Sequence, residues 1–459
     1  MSADAPPPGR GVRALARDLR DGTCSAVDLA SASLGALAAW EPTLNAVAHL
    51  REAEALAEAR ALDQELAAGR DRGPLHGVPV AVKDLIDVAG APTGYGSRVG
   101  RVASAPRDAA VVRRLRDAGA VVVAKTNLLE YAYGAVHPEV GDTRNPHDPS
   151  RTSGGSSGGS AALVAAGCVP VALGTDTGGS VRIPAAYCGT VGVKPTPGRV
   201  PMDGVFPLAW SLDAVGALSR RVEDAALVHD VLEGRRPGAD GAATPTLAGA
   251  VLGVPRDWVD AGSPLPGMRA AWSDALERAE AAGATLVEVS FGAFADLNEV
   301  LLDLLLPEAS VIHEEHIRRA PEGYGPATRA QIEAGFSVPA VRYVRALRRR
   351  SAAREAFLAW MDDAPGRLDA IVSPPVPFPA PEHDPSVHGD EGAMEMHFSG
   401  PFNLLGAPAV ALPWGLADGL PVGVQVAGRP NDDARVLDLT RALEALAPAT
   451  PVPSPPDAG

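Results

Sequence analysis

The sequence is poor in cysteine, in aromatic residues, in net positive charge and in long apolar runs, and each shortage excludes something. Three cysteines in 459 residues, Cys24, Cys168 and Cys188, are too few and too scattered for a disulfide framework or a thiolate zinc site. Cys168 and Cys188 sit among small or apolar residues, where buried, inert thiols are expected. Aromatics make up only 4% of the chain, which leaves Ala, Val and Leu to fill the core. The formal charge is −15, and an acidic surface does not suit a phosphate backbone, so no nucleic-acid partner is expected. The basic run Arg345, Arg348, Arg349 and Arg350 lies in a helix-like stretch and reads as a solvated face. No segment approaches the roughly 20 apolar residues that span a bilayer. The longest, Ala161 to Gly174, is interrupted by Gly167 and Pro170. The N-terminus has no apolar segment of signal-peptide type. A cytoplasmic enzyme without a membrane partner is the expectation.

What the chain does have is ordinary globular composition, 46% hydrophobic and 21% charged, with 49 glycines and 43 prolines to make turns and close backbone approaches. Ser25-Ala-Val-Asp28 resembles a capping box opening a helix toward Trp40, and Glu52 to Ala68 predicts a second helix ended by Gly69. A short strand-like run follows from Gly77 to Asp84, then a helix over Ala109 to Ala118 and a buried strand over Ala120 to Ala124. Strand, helix, strand in that order predicts α/β architecture. Residues 234–246 read as a surface connection and 295–360 as mostly helical, and Asp418-Gly419 reads as the turn between two late strands. The expectation is one large α/β domain over 10–448, a central mixed β-sheet flanked by helices, with flexible tails at 1–9 and 449–459.

Three segments carry chemistry. Thr152-Ser-Gly-Gly-Ser156-Ser157-Gly-Gly-Ser160 has a linker's composition, but it runs straight into an apolar helix and a buried strand. Glycines at that density let backbone pack close to a site. In Gly174-Thr-Asp176-Thr177-Gly178-Gly179-Ser180-Val-Arg182-Ile-Pro184, an apolar strand meets a glycine turn and then a helix. Such a corner presents a serine and turns several backbone N–H groups outward together, as a developing oxyanion requires; a plain turn with a surface serine is the alternative. Lys83 ends a buried strand, with Asp84 on the opposite face by alternation. A lysine facing a dry interior has its pKa pulled down from ~10.4 toward the ~7–8 useful to a base, whereas a strand-end lysine that snorkels to solvent does not.

Taken together and in this order, these segments resemble the amidase signature family. The 24-residue spacing from Ser156 to Ser180 matches its pattern. So do Val82-Lys83-Asp84, Lys125-Thr-Asn-Leu-Leu-Glu130, Cys188-Gly-Thr-Val-Gly-Val-Lys194-Pro-Thr, Ser211-Leu-Asp213 and Phe402-Asn-Leu-Leu-Gly-Ala-Pro. The resemblance is strong over 73–215, fair over 397–430, and weak over the region 230–395, where substrate-shaping variation is expected. It implies that Ser180 is the nucleophile, that Ser156 follows a cis peptide and relays a proton, and that Lys83 is the neutral base. It implies an oxyanion hole from the N–H groups of Thr177, Gly178, Gly179 and Ser180. Asp176 and Arg182 would hold the corner, and Ser157 would orient the lysine. The implied activity is hydrolysis of amide C–N bonds through a serine acyl-enzyme, with no metal or organic cofactor. Esters and carbamates share the tetrahedral chemistry, so side activity on them is expected.

Other readings stay in view. Gly154 to Gly158 also fits the G-x-S-x-G nucleophile elbow, but the polar stretch before it is not the strand that motif needs. A histidine-dependent triad would draw on His229, His313, His316, His383, His388 or His397. His313-Glu-Glu-His316 has i, i+3 spacing rather than that of H-E-x-x-H and reads as a solvated helix face, and His383 and His388 lie in a Pro/Asp-rich loop. The glutamine-hydrolysing component of a tRNA-dependent amidotransferase resembles the same family; the acidic charge and the divergent 230–395 region favour a stand-alone hydrolase. A non-enzymatic binding module leaves the Ser180 and Lys83 coincidence unexplained. Tyr131, Tyr133, Gly134, Trp210 and Phe402 are the candidate substrate contacts, and they suit aryl or medium-sized acyl groups. A homodimer is the base-rate expectation.

Overall fold

The computed structural model describes residues 10–100, 103–237, 245–385 and 390–455. The expected tail at 1–9, residues 456–459 of the expected tail at 449–459, most of the 234–246 connection and His388 therefore lie outside the described residues. The architecture is a single α/β domain built on one mixed sheet of eleven strands. The strands are β1 (Val47–Leu50), β2 (Pro79–Lys83), β3 (Val121–Thr126), β4 (Val171–Asp176), β5 (Val191–Lys194), β6 (Ala214–Ser219), β7 (Val251–Val254), β8 (Thr285–Glu288), β9 (Ala370–Ser373), β10 (Ala409–Ala417) and β11 (Leu420–Ala427). Their order across the sheet is β1-β3-β2-β4-β6-β5-β10-β11-β9-β7-β8.

The strands that carry the chemistry lie together. β2 pairs in parallel with β3 on one side and β4 on the other, with Val82 opposite Leu173. Lys83 and Asp176 thus leave the sheet at the same end, the carboxyl ends of two parallel neighbours, where ligands bind in open α/β sheets. Every residue of β2, β3 and β4 is buried, which accounts for their continuous Val/Ala character. Helix Gly158–Ala165 packs on β4, and all eight of its residues are buried; its small side chains permit that close approach.

The local signals act as their chemistry dictates. Ser25 and Asp28 form the reciprocal capping box of helix Ala26–Leu44, and Gly69 takes φ +79 just beyond helix Glu52–Ala67. Asp418 and Gly419 both take positive φ between β10 and β11, the backbone of a tight hairpin turn. The 295–360 stretch folds as helices Leu297–Arg319, Pro326–Gly335 and Ala340–Asp363. Two surface readings need correction. His313 is fully buried between Tyr131 and Tyr324, because its face of the long helix packs inward while Glu314, Glu315 and His316 stay exposed. Arg350 is half-buried and donates to the carbonyls of Ser211 and Leu404, so it ties the helix to the site segments instead of only facing water. No helix of the described residues is long and apolar enough to cross a membrane.

Candidate active site

Lys83 is fully buried at the end of β2. Its Nζ donates to Ser156 Oγ at 2.7 Å, to Ser157 Oγ at 2.9 Å and to Thr175 Oγ1 at 3.0 Å. All three acceptors are neutral. Burial lowers the lysine pKa to about 7, and the carboxylates of Asp176 and Asp213 only partly oppose that. Asp84 does not compensate Lys83, because it faces the other way and pairs with Lys125 at 2.6 Å.

Ser156 follows a cis Gly155–Ser156 peptide. The glycines before it are sterically required. Gly154 takes φ +74, and a Cβ there would lie 2.6 Å from the Tyr187 ring; a Cβ on Gly155 would lie 2.1 Å from Leu129. Ser157 N–H donates to the Ser180 carbonyl at 3.1 Å, which ties the two serine loops together. Ser157 Oγ in turn meets the backbone of Thr175, so this serine bridges the lysine to the end of β4.

Ser180 sits half-buried where β4 gives way to helix Arg182–Cys188. A buried network holds this corner. Arg182 binds Asp176 through both Nε and Nη2, and also reaches Asn403 Oδ1 at 2.6 Å, Gln425 Oε1 at 2.8 Å and the Ser399 carbonyl at 2.9 Å. Burial alone would raise the Asp176 carboxyl, but the Arg182 charge and hydrogen bonds, with Lys194 and Asn403, hold it down at about 2. Asp213 accepts from Thr177 Oγ1 at 2.6 Å and from the N–H groups of Leu208 and Ala209. Its burial pushes that carboxyl up to about 6.

The four expected oxyanion donors do not behave alike. Gly179 N–H, expected in the oxyanion hole, is donated to Asp176 Oδ1 at 2.9 Å. The backbone N–H groups of Thr177, Gly178 and Ser180 have no partner among the described residues. Gly179 has a different constraint: at φ +140 any Cβ would strike Ser399.

Ser156, Thr177, Gly178 and Ser180 line one cavity that opens to solvent. Of the expected substrate contacts, Tyr133 and Gly134 line it. The other three do not. Trp210 is 53% exposed and lies away from the cavity. Phe402 is wholly buried against Trp258 and Phe291. Tyr131 is in the core, stacked on Tyr95. Apolar bulk pulled Phe402 and Tyr131 into the core instead of toward a ligand. The wall also includes Leu129 and Ile183, which stand inside recognised segments, and Leu302 and Leu305 from the 295–360 helices, Asp384 and Glu395, which stand in none. Thr175, Asp213 and Asn403 stood within recognised segments, so a signal for them existed; Gln425, Asp384 and Glu395 stood in no quoted motif.

The Amidase family model matches residues 28–437, and the chain belongs to the amidase signature family of hydrolases, which act on amide C–N bonds. Among its relatives is an amidase of Pseudomonas putida, 40% identical over 94% of this chain and 94% of its own. Another is a glutamyl-tRNA(Gln) amidotransferase component of Symbiobacterium thermophilum, 37% identical over 92% of this chain and 94% of its own. A crystal structure of an amidase superposes with a TM-score of 0.87 at 38% identity, covering 96% of this chain and all of that one.

Proposed function

We propose that the protein is a stand-alone amidase that hydrolyses carboxylic amides through a Ser180 acyl-enzyme, with Ser156 and Lys83 moving the protons. The carrying observation is the buried Lys83 Nζ 2.7 Å from Ser156 Oγ, in a cavity that Ser156 and Ser180 both line. Neutral Lys83 takes the Ser156 proton as Ser156 takes that of Ser180, and Ser180 Oγ attacks the carbonyl carbon. The oxyanion lies against the open N–H groups of Thr177, Gly178 and Ser180, where one such donor is worth about 3–4 kcal/mol of barrier. The proton returns through Ser156 to the leaving nitrogen, the C–N bond breaks, and water then cleaves the Ser180 ester by the same relay.

The second reading is the glutamine-hydrolysing component of an amidotransferase, favoured by relatives of that name. Glutamine carries an α-carboxylate, and no Arg or Lys stands among the described residues lining the cavity. That wall combines Leu129, Ile183, Leu302 and Leu305 with the acids Asp384 and Glu395, and it offers a substrate carboxylate no cationic partner. The test is hydrolysis of matched aryl amides, esters, carbamates and free glutamine by the purified chain and by Ser180→Ala. Turnover of simple amides, lost in Ser180→Ala, supports the stand-alone amidase. Turnover of glutamine alone selects the amidotransferase reading, and equal rates in both proteins remove Ser180 from the mechanism.

A further inference from the structure

Two carboxylates enter the catalytic cavity from the far end of the chain. Asp384 accepts from Thr152 Oγ1 at 2.8 Å, and Glu395 accepts from the Tyr187 hydroxyl at 2.7 Å. Each bond uses one oxygen; the second oxygen of each carboxylate has no hydrogen-bond partner among the described residues. Both supports belong to the catalytic framework. Thr152 opens the loop that leads to Ser156, its N–H is bonded to the Pro381 carbonyl, and Arg151 reaches the carbonyl of Ala380. Tyr187 lies on the helix that follows Ser180 and packs under Gly154. The acids are therefore fixed relative to both serines.

A third polar residue lines the same space. Tyr133 lines the cavity, is only 2% exposed, and its buried hydroxyl has no partner among the described residues. A hydroxyl left unpaired at such depth costs free energy unless a bound molecule or water supplies the partner. Between these polar groups the wall is apolar, with Leu302, Leu305 and Met396. Lys83, the cation nearest the serines, is spent on three hydroxyls and does not line the cavity.

We propose that Asp384 and Glu395 form an acidic specificity site that selects amides whose acyl chain bears an ammonium group. The inference rests on the amidase reading above and names its substrate class. The ammonium lies against the free carboxylate oxygens, the methylenes run along Leu302 and Leu305, and the carbonyl meets Ser180. Burial, and then the charge of Asp384, push Glu395 up to about 8. Burial and the more distant Asp142 push Asp384 up to about 6, against the partial opposition of Thr152, His383 and Arg144. Near neutrality the pair therefore keeps one proton and one negative charge. His383 and Arg144 act on Asp384 from outside the cavity wall; no Arg, Lys or His lines the cavity among the described residues, and an incoming cation supplies a counter-charge on that side.

The experiment uses calorimetric binding to the full-length Ser180→Ala protein, so that it does not depend on turnover. The ligands are 3-aminopropanamide, 4-aminobutanamide and 5-aminopentanamide, each paired with the alkanamide in which a methyl replaces the ammonium, and 4-carbamoylbutanoate as the anionic counterpart. At least one amine is expected to bind roughly tenfold or more tighter than its alkanamide, as a charge-assisted contact should, and the anion weakest of all. In Ser180→Ala combined with Glu395→Gln, and separately with Asp384→Asn, the preference should fall to within about threefold. A purely structural role for the acids would not change that ratio. An alkanamide that binds as well as every amine overturns the proposal, as does a preference that survives both substitutions. Wild-type turnover of the alkanamides, read separately, decides the amidase reading, so the two can fail independently.

Discussion

At the scale of single residues, catalysis turns on a lysine that is neutral when it is needed. Burial holds Lys83 at about 7, so activity on a neutral amide should rise as pH increases through that value and level off above it; kcat/KM against pH measures this. Lys194 titrates in the same range, but it is bonded to the Pro195 carbonyl and does not line the cavity. Lys83→Met should lower kcat by about 10²–10⁴-fold while keeping the fold. The same shift carries a stability signature. Between about 7 and the ordinary 10.5, the unfolded chain binds a proton at this lysine that the folded chain does not. Folding is therefore favoured as pH rises across that window. The stability of wild type relative to Lys83→Met, from chemical denaturation, should increase from pH 7 to 10; a constant difference would mean that Lys83 is charged in the folded state. Lys83, Ser156 and Ser180 were all legible in the sequence because each stands inside a dense motif. Trp210 and Phe402 were misjudged because an aromatic residue near a motif is as readily exposed or built into the core as turned toward a ligand.

At the scale of elements, the glycine loops are shaped by what stands against them. Gly159 is the second residue of the helix after the serine loop, and a Cβ there would lie 2.6 Å from the carbonyl oxygens of Ala46 and Asn127, both backbone atoms that cannot swing aside. Gly159→Ala should cost about 1–3 kcal/mol, read from the denaturation midpoint, whereas the same change at Gly35, with open space around it, should cost little. The sequence revealed the strands around the catalytic motifs and the late hairpin, where apolar runs are bounded by turn residues. It did not reveal the four-residue strands β1, β5 and β9, or β6, whose short runs read as loop until their partners exist.

Across the molecule as a whole, residues more than two hundred positions apart close one site. Arg182 reaches from the Ser180 corner to Asn403 and Gln425, joining the catalytic strands to β11. Removing one member of such a buried pair leaves a charge stranded, so Arg182→Leu should cost about 3–5 kcal/mol by denaturation and lower the yield of folded protein. Asp384 and Glu395 arrive by the same kind of long-range convergence. Their segment carries no motif, and nothing local in it announces a site. The catalytic half of the cavity was therefore readable from sequence, while the half that shapes specificity required the fold.

Whether Ser180 is the nucleophile is decided most directly by intact-mass and peptide analysis of the protein quenched during turnover of a slowly deacylating activated ester. An added acyl mass should map to Ser180 and be absent from Ser180→Ala. An adduct on Ser156 in the wild-type protein, or an undiminished adduct in Ser180→Ala, would contradict the mechanism.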